Sequence, residues 1–319
     1  MVINMGIKSI QMMKLPQMIK LLPNINRLVV GLIISVVSLV TPCIRAQGEE
    51  FDLLGEAPIS VEKVNYAFKT TKVINLQSLE LTDYGVFDFK MMHRFGALNS
   101  GAVNAFGLDQ ASVRFGLEYG ITHNLMISMG RSNVNGIKNT DAFLKYRMIH
   151  QNSDNSKPFS LLWLVGVQYG LVNPLSSYFP TPEERSSYVL QSIIGRKFSE
   201  KFSLQFSPTF IANAYNSRWT QPGFATQNIW ALGIGSRYKI TQRTAFNFEY
   251  IPILTSKGNV YNSLSVGLDV ETGGHVFQFQ LTNSAGLNET QFIANTKTQW
   301  NNAGVRLGFN LSRVFTIIK

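Results

Sequence analysis

The chain has 319 residues, with 29 Lys plus Arg against 19 Asp plus Glu, four His and one Cys. Five of the basic residues, Lys8, Lys14, Lys20, Arg27 and Arg45, and none of the acidic ones fall in residues 1–46, so the remaining 273 carry a balance of +5 rather than +10. That small surplus gives no support to nucleic-acid binding, and the only thiol, Cys43, lies in the same leading segment, which leaves the rest without disulfide or cysteine-metal chemistry.

In chain order, scattered basic residues precede the apolar run Leu28 to Val40, and a short polar stretch, Thr41 to Gln47, follows it. Thirteen residues fall short of the roughly 20 a membrane-spanning helix needs, and the order is that of a secretory signal. Ala46 and Ile44 suit a cleavage site, so residues 1–46 are predicted to be a signal peptide. A lipid-modified Cys43 is the alternative, weakened by Pro42 where a small residue is wanted. No later apolar run reaches 18 residues.

Residues 47–84 read as a periplasmic lead-in. Glu49 to Lys69 is charged, contains Pro58 and does not alternate, while Thr71 to Leu79 suits a short strand or a plug segment. From residue 85 to 319 the pattern has period two. In Gly273 to Asn283, Phe277, Phe279 and Leu281 share one face and Gln278, Gln280 and Thr282 the other. Val305, Leu307, Phe309 and Leu311 likewise oppose Arg306, Gly308 and Asn310, and Phe246, Phe248 and Tyr250 oppose Asn247 and Glu249. Runs of about ten alternating residues match a tilted strand crossing a bilayer. Twelve wall strands are predicted near 85–94, 110–119, 123–131, 139–150, 158–170, 186–198, 203–215, 226–240, 243–252, 259–270, 274–283 and 302–311. Short connections alternate with long ones, as they do in an outer-membrane barrel of even strand number. The predicted fold is thus an all-β transmembrane antiparallel β-barrel of about 12 strands in the outer membrane of a Gram-negative bacterium.

Two strands break the alternation. In Tyr188 to Phe198 neither face is cleanly apolar, and in Asp141 to Ile149, Phe143 shares the inward parity of Lys145 and Arg147. Either a bulge shifts the register or apolar side chains fill part of the lumen. The inward parity assigns Asp88, Lys90, Arg94, Arg114, Glu118, Lys145, Arg147, Lys197, Arg237, Lys239, Glu249, Asp269 and Arg306 to the lumen. Nine are basic and four acidic. One reading is a basic lining that favours anionic solutes; the other is a network of opposite charges that fills the interior.

His93, His123, His150 and His275 are spread over both ends of the predicted wall, so neither a metal site nor a cofactor is expected. Gly-Xaa-Ser-Xaa-Gly is absent, and His93 is the one residue to consider for an outer-membrane lipid hydrolase; no enzyme activity is expected. Gly233-Ile234-Gly235 lies inside a predicted strand and suits relief of crowding better than phosphate binding.

His93-Arg94-Phe95-Gly96, Gly107-Leu108-Asp109, Gly116 to Thr122, Lys145-Tyr146, Glu249-Tyr250, Gly274 to Gln278 and Leu281-Thr282-Asn283 together resemble an uncharacterised β-barrel family of Bacteroidetes, domain of unknown function 5777, over roughly Val73 to Leu311. The resemblance implies an outer-membrane barrel and supplies no substrate or catalytic residue. The leading functional expectation is a passive or weakly selective channel for small polar or anionic solutes. A structural barrel that binds partners through its long loops, above all Leu171 to Arg185 and Ser284 to Asn301, is the alternative, and a lipid-modifying enzyme comes third. The partners expected are outer-membrane lipid, the barrel assembly machinery and small solutes, and not nucleic acid.

Overall fold

The computed structural model describes residues 62–171, 181–182, 184–214, 227–255 and 260–318. The predicted signal peptide and most of the Leu171 to Arg185 connection lie outside them. Twelve strands occur in chain order: β1 (Val86–Ala97), β2 (Ala111–Thr122), β3 (Leu125–Val134), β4 (Ile137–Ile149), β5 (Ser160–Gly170), β6 (Ser186–Lys197), β7 (Phe202–Ala214), β8 (Gln227–Lys239), β9 (Thr244–Ile251), β10 (Ser263–Thr272), β11 (His275–Thr282) and β12 (Arg306–Thr316). Each pairs antiparallel with its sequence neighbours, and β1 pairs with β12, which closes the barrel. Closure removes both sheet edges, so every strand finds its backbone partners inside the wall.

Side-chain parity divides the wall into two faces. Phe115, Met129, Trp230 and Phe279 point outward and stay about half exposed, which water would penalise and hydrocarbon does not. One end carries most of the short turns and the chain terminus at β12, with the longer β4–β5 turn among them; the other carries the long connections and the two-residue β3–β4 turn at Asn135–Gly136. Most strands lie within a few residues of their predicted places. The last one is shifted, starting at Arg306 rather than residue 302. Residues 299–305 fold into a turn instead, with a 3-10 segment at Trp300–Asn302, left-handed Ala303, and the Trp300 indole donating to the Leu264 carbonyl at 2.9 Å.

The two irregular strands have a common cause. The register of β6 against β7 runs through without a shift, and that of β4 against β5 shifts only at Arg147/Ile149, beyond Phe143. Phe143, Val189 and Ile193 point inward and join a buried apolar cluster with Met126, Leu162 and Leu164. Apolar lumen filling, not slippage, breaks the alternation.

What they pack against comes from outside the wall. Residues 62–65 lie along the β4–β5 turn, where the Val64 amide donates to the Gln151 carbonyl at 2.9 Å. From Ala67 to Thr82 the chain then runs inside the barrel, turning in a tight hairpin closed by the bridge between Lys72 and Gln77. Phe68, Val73, Ile74, Leu76 and Leu79 from this segment are buried in the apolar cluster. The predicted lead-in is thus an internal element over these residues. The connection between β11 and β12, expected to be an outward loop, also turns inward: α1 (Glu289–Ala294) is buried along its whole length, and Phe292 and Ile293 join the same cluster.

Room for the hairpin is cut into β8. A Cβ on Gly233 would lie 2.7 Å from Cδ2 of Leu76, and one on Gly235 would lie 3.1 Å from Cγ2 of Val73. Gly233→Val is therefore expected to leave the barrel closed and heat-modifiable on a gel while driving the hairpin from its seat. Trypsin is the readout: Lys72, only 3% exposed in the native protein, should become cleavable in the variant, and equal resistance in both proteins would refute this account of the glycine.

Candidate functional site: the occupied lumen

The residues predicted for the lumen sit on the inner face. Asp88, Lys90, Arg94, Arg114, Glu118, Lys145, Arg237, Glu249 and Asp269 are buried, while Arg147, Lys197, Lys239 and Arg306, nearer the two ends, are partly exposed. Several of them are engaged with the segment that fills the barrel.

The best-defined contact is at the hairpin tip. The four-residue turn Val73–Leu76 leaves three amides without backbone partners, and Glu249 from β9 supplies one carboxylate to all of them. Its Oε2 accepts from the amides of Leu76 at 2.7 Å, Asn75 at 2.9 Å and Ile74 at 3.3 Å, and its Oε1 accepts from Asn75 Nδ2 at 3.0 Å. The tip carbonyls are met by amide side chains of the wall: Gln278 donates to the Val73 carbonyl and Asn310 to the Ile74 carbonyl, both at 3.0 Å. Lower in the barrel, cations take over. Lys145 donates to the carbonyl of Glu80 at 2.7 Å, Arg147 to that of Leu79 at 2.9 Å, and Gln205 to that of Gln77 at 2.6 Å. Thr71 closes the set by donating to Glu118 at 2.6 Å. Each of these bonds to the wall runs through a wall side chain; within the segment the amide of Val73 bonds to the carbonyl of Leu76 and that of Ser78 to the carbonyl of Thr71.

Ion pairs account for a further part of the charge. Lys90 lies 2.6 Å from Asp88 and 3.6 Å from Glu118. Arg114 grips Asp141 with two nitrogens, Nε at 3.0 Å. Its guanidinium crosses the inner surface of β3 where Gly130 leaves space for it. Arg94 is buried against amides rather than acids, with Asn75 Oδ1 at 3.0 Å, Asn310 Oδ1 at 2.9 Å and Gln280 beside it. Lys72 of the hairpin reaches Glu289 of α1 at 3.3 Å, and Gln77 donates to the same carboxylate oxygen at 2.9 Å, so the two inserted elements are tied to each other.

Three charged participants were not predicted. Asp141 shares the inward parity of Phe143, Lys145 and Arg147, and that parity identifies it. Lys72 and Glu289 belong to segments without period two, where no parity rule applies.

The histidines remain apart. His93 is stacked on Phe309, with ring centroids 5.0 Å apart, and lies edge-on to Phe95 at 4.4 Å; its Nδ1 has no hydrogen-bond partner. His123 faces Asp83 at 2.8 Å, and that hydrogen bond holds the Asp83 carboxyl below the usual range. His150, in the β4–β5 turn, meets the Val64 carbonyl at 2.9 Å. Burial, reinforced by the charge of Arg147, pushes its pKa down to about 4. No group of His, Cys, Asp and Glu suited to hold a metal occurs among the described residues.

Removing the carboxylate in Glu249→Ala would strand three tip amides inside the barrel. A charge-assisted bond contributes about 1.5–3 kcal/mol, so the tip is expected to open roughly a hundredfold more readily. Hydrogen exchange at Ile74, Asn75 and Leu76 should accelerate accordingly while the amides of β10 do not change; unaltered tip protection would contradict the role given to Glu249. His150 yields a pH dependence. Its pKa is lowered on folding, so the neutral imidazole favours the folded contact, which is fully held above pH 6.5 and lost as the pH falls toward about 4. Exchange at the Val64 amide should therefore quicken over that window, and His150→Gln should abolish the pH dependence.

A family model described as "Membrane bound beta barrel domain", of unknown function (DUF5777), matches residues 68–315. No curated protein matches the chain. Among solved structures, the chain is similar to the KdgM porin in complex with disordered oligogalacturonate at 11% identity and a TM-score of 0.45, covering 72% of this chain and 99% of that one. It is similar to the NanC porin at 10% identity and 0.46, covering 73% and 100%. Outer membrane phospholipase A from Escherichia coli follows at 13% identity and 0.40, covering 76% and 97%. The likeness is one of barrel form. The match begins at Phe68, so the inserted hairpin lies inside the matched region with the wall. The chain belongs to this family of membrane-bound β-barrel domains, and its barrel is an outer-membrane barrel of a Gram-negative bacterium.

Proposed function

We propose that the protein is a small-solute channel closed from within by its own hairpin. The observation that carries this reading is the way the hairpin is held. Its bonds to the wall come from wall side chains, so it can withdraw without breaking a strand pair. Behind it stands an inner face of charged and polar groups. A permanent core would be served by apolar packing alone, whereas buried ionic groups cost desolvation and are regained by water when the lumen floods. A twelve-stranded wall is wider than the eight-stranded barrels whose interiors side chains just fill.

In this reading residues 1–46 direct export and are removed, the assembly machinery inserts the closed wall, and lipid surrounds its apolar band. The hairpin enters from the periplasmic end, since both the lead-in and the short turns lie there. On this reading the protein conducts rather than catalyses, and the His93 ring, packed between Phe95 and Phe309, belongs to the aromatic surface of the wall.

Planar-bilayer recording tests the proposal. The purified protein is expected to open rarely, and Glu249→Ala to open far more often at the same voltage. A pair of cysteines at Asn75 and Ser265, whose side chains are hydrogen-bonded at 2.9 Å, bridged by a short thiol-specific crosslinker, should abolish opening. The only native cysteine is Cys43. Absence of conductance above background from both the native protein and Glu249→Ala would refute the channel, and free opening of the bridged protein would refute the hairpin as its closure.

A further inference from the structure

Above the hairpin, at the end of the barrel that carries the long connections, the interior is not completely filled. A cavity of about 230 Å³ lies between the β3–β4 hairpin, the end of α1 and the start of β12. At about 30 Å³ for each water of liquid volume, that is space for roughly seven or eight waters. Asn135, Asn139, Asn295, Lys297 and Arg306 are among the residues that line it, and no carboxylate is among them.

Two features of the lining point to a ligand. Asn139 is only 1% exposed, and although its amide nitrogen reaches the Ile137 carbonyl at 3.5 Å, its Oδ1 has no hydrogen-bond partner. A buried acceptor in that position calls for a donor. Arg306 donates through Nη1 to the Phe95 carbonyl at 3.3 Å, but its Nε has no partner. With Lys297 it places two cationic side chains on one cavity, where a carboxylate would receive charge-assisted bonds from a guanidinium. We infer that this cavity binds a small hydroxylated carboxylate of the sugar-acid class, its carboxylate on Arg306 and Lys297 and a hydroxyl donating to Asn139 Oδ1. The inference deepens the channel reading by naming a solute class, and it places the selection at the mouth rather than along the lumen.

Binding can be measured without conduction. Titration calorimetry of the full-length protein in detergent would use sodium gluconate, with sorbitol as the hydroxylated but uncharged probe and acetate as the charged but unhydroxylated one. Gluconate is expected to bind saturably, and sorbitol and acetate at least about tenfold more weakly. Arg306→Gln and Lys297→Gln should each weaken gluconate about tenfold, and Asn139→Leu should bring gluconate down toward acetate. Lys297 lies on a connection rather than in the wall, so Lys297→Gln decides the matter should Arg306→Gln fail to give a heat-modifiable barrel. No saturable gluconate heat, sorbitol binding as tight as gluconate, or gluconate affinity unchanged in Lys297→Gln would overturn the site. Gluconate binding that follows these variants in a protein that never conducts would uphold the site while refuting the channel.

Discussion

An irregular stretch of chain enclosed by a barrel must find partners for its backbone amides and carbonyls, because the wall has already used its own in the strand ladder. That constraint explains most of the polar architecture described above. At the hairpin tip, where three amides converge, the wall provides a carboxylate in Glu249. Where carbonyls emerge, it provides Gln278, Asn310, Lys145, Arg147 and Gln205. An anion meets the amides, and cations or side-chain amides meet the carbonyls, so the donor or acceptor character of each wall residue matches the backbone group opposite it.

The apolar part of the interior obeys a different rule. Met126, Phe143, Leu162, Leu164, Val189 and Ile193 of β3 to β6 share one buried apolar cluster with Ile211, Ala231 and Ile251 of β7 to β9 and with Phe68, Leu76 and Phe292 of the inserted elements. Full burial of such side chains contributes about 1.5–3 kcal/mol apiece. The hairpin is therefore held by apolar packing and by hydrogen bonds together, and β4 supplies both, through Phe143 and through Lys145 and Arg147. The bonds fix its register while the packing supplies much of the attraction, and the missing side chains of Gly233 and Gly235 leave the depth it needs.

The wall was legible in the sequence because period two is a property of each strand alone. Phe277, Phe279 and Leu281 announce one face whatever surrounds them, and the inward parity of thirteen ionisable residues follows from the same alternation. Asp141 is legible by that logic too, two residues from the apolar Phe143 on the same face. Lys72 and Glu289 were not, since an irregular hairpin and a helix of six residues carry no period that says which way a side chain points. Nor could composition reveal that Ser284 to Asn301 turns inward. Its polar residues suit a solvated loop equally well, and only the finished wall supplies partners such as Ser132 for Gln291. The broken alternation of β4 and β6 and the glycines at 233 and 235 of β8 are the traces that the inserted segment leaves in the wall sequence.

The same constraint changes how the lumen charge is to be understood. Counted along the strands, nine cations against four anions describe a basic pore. Counted by contact, Lys90 and Arg114 are paired with acids, and Lys145 and Arg147 hold hairpin carbonyls. Arg94 is occupied by amides and a backbone carbonyl. With the hairpin seated, little of that surplus charge is offered to a solute. Withdrawal of the hairpin removes the carbonyl partners of Lys145 and Arg147 and the Asn75 partner of Arg94, and it also strips the amides from Glu249. In the proposed channel three cations, Arg94, Lys145 and Arg147, and two anions, Glu249 and Glu289, lose their hairpin partners together, so the step that opens the lumen is also the step that uncovers its charge.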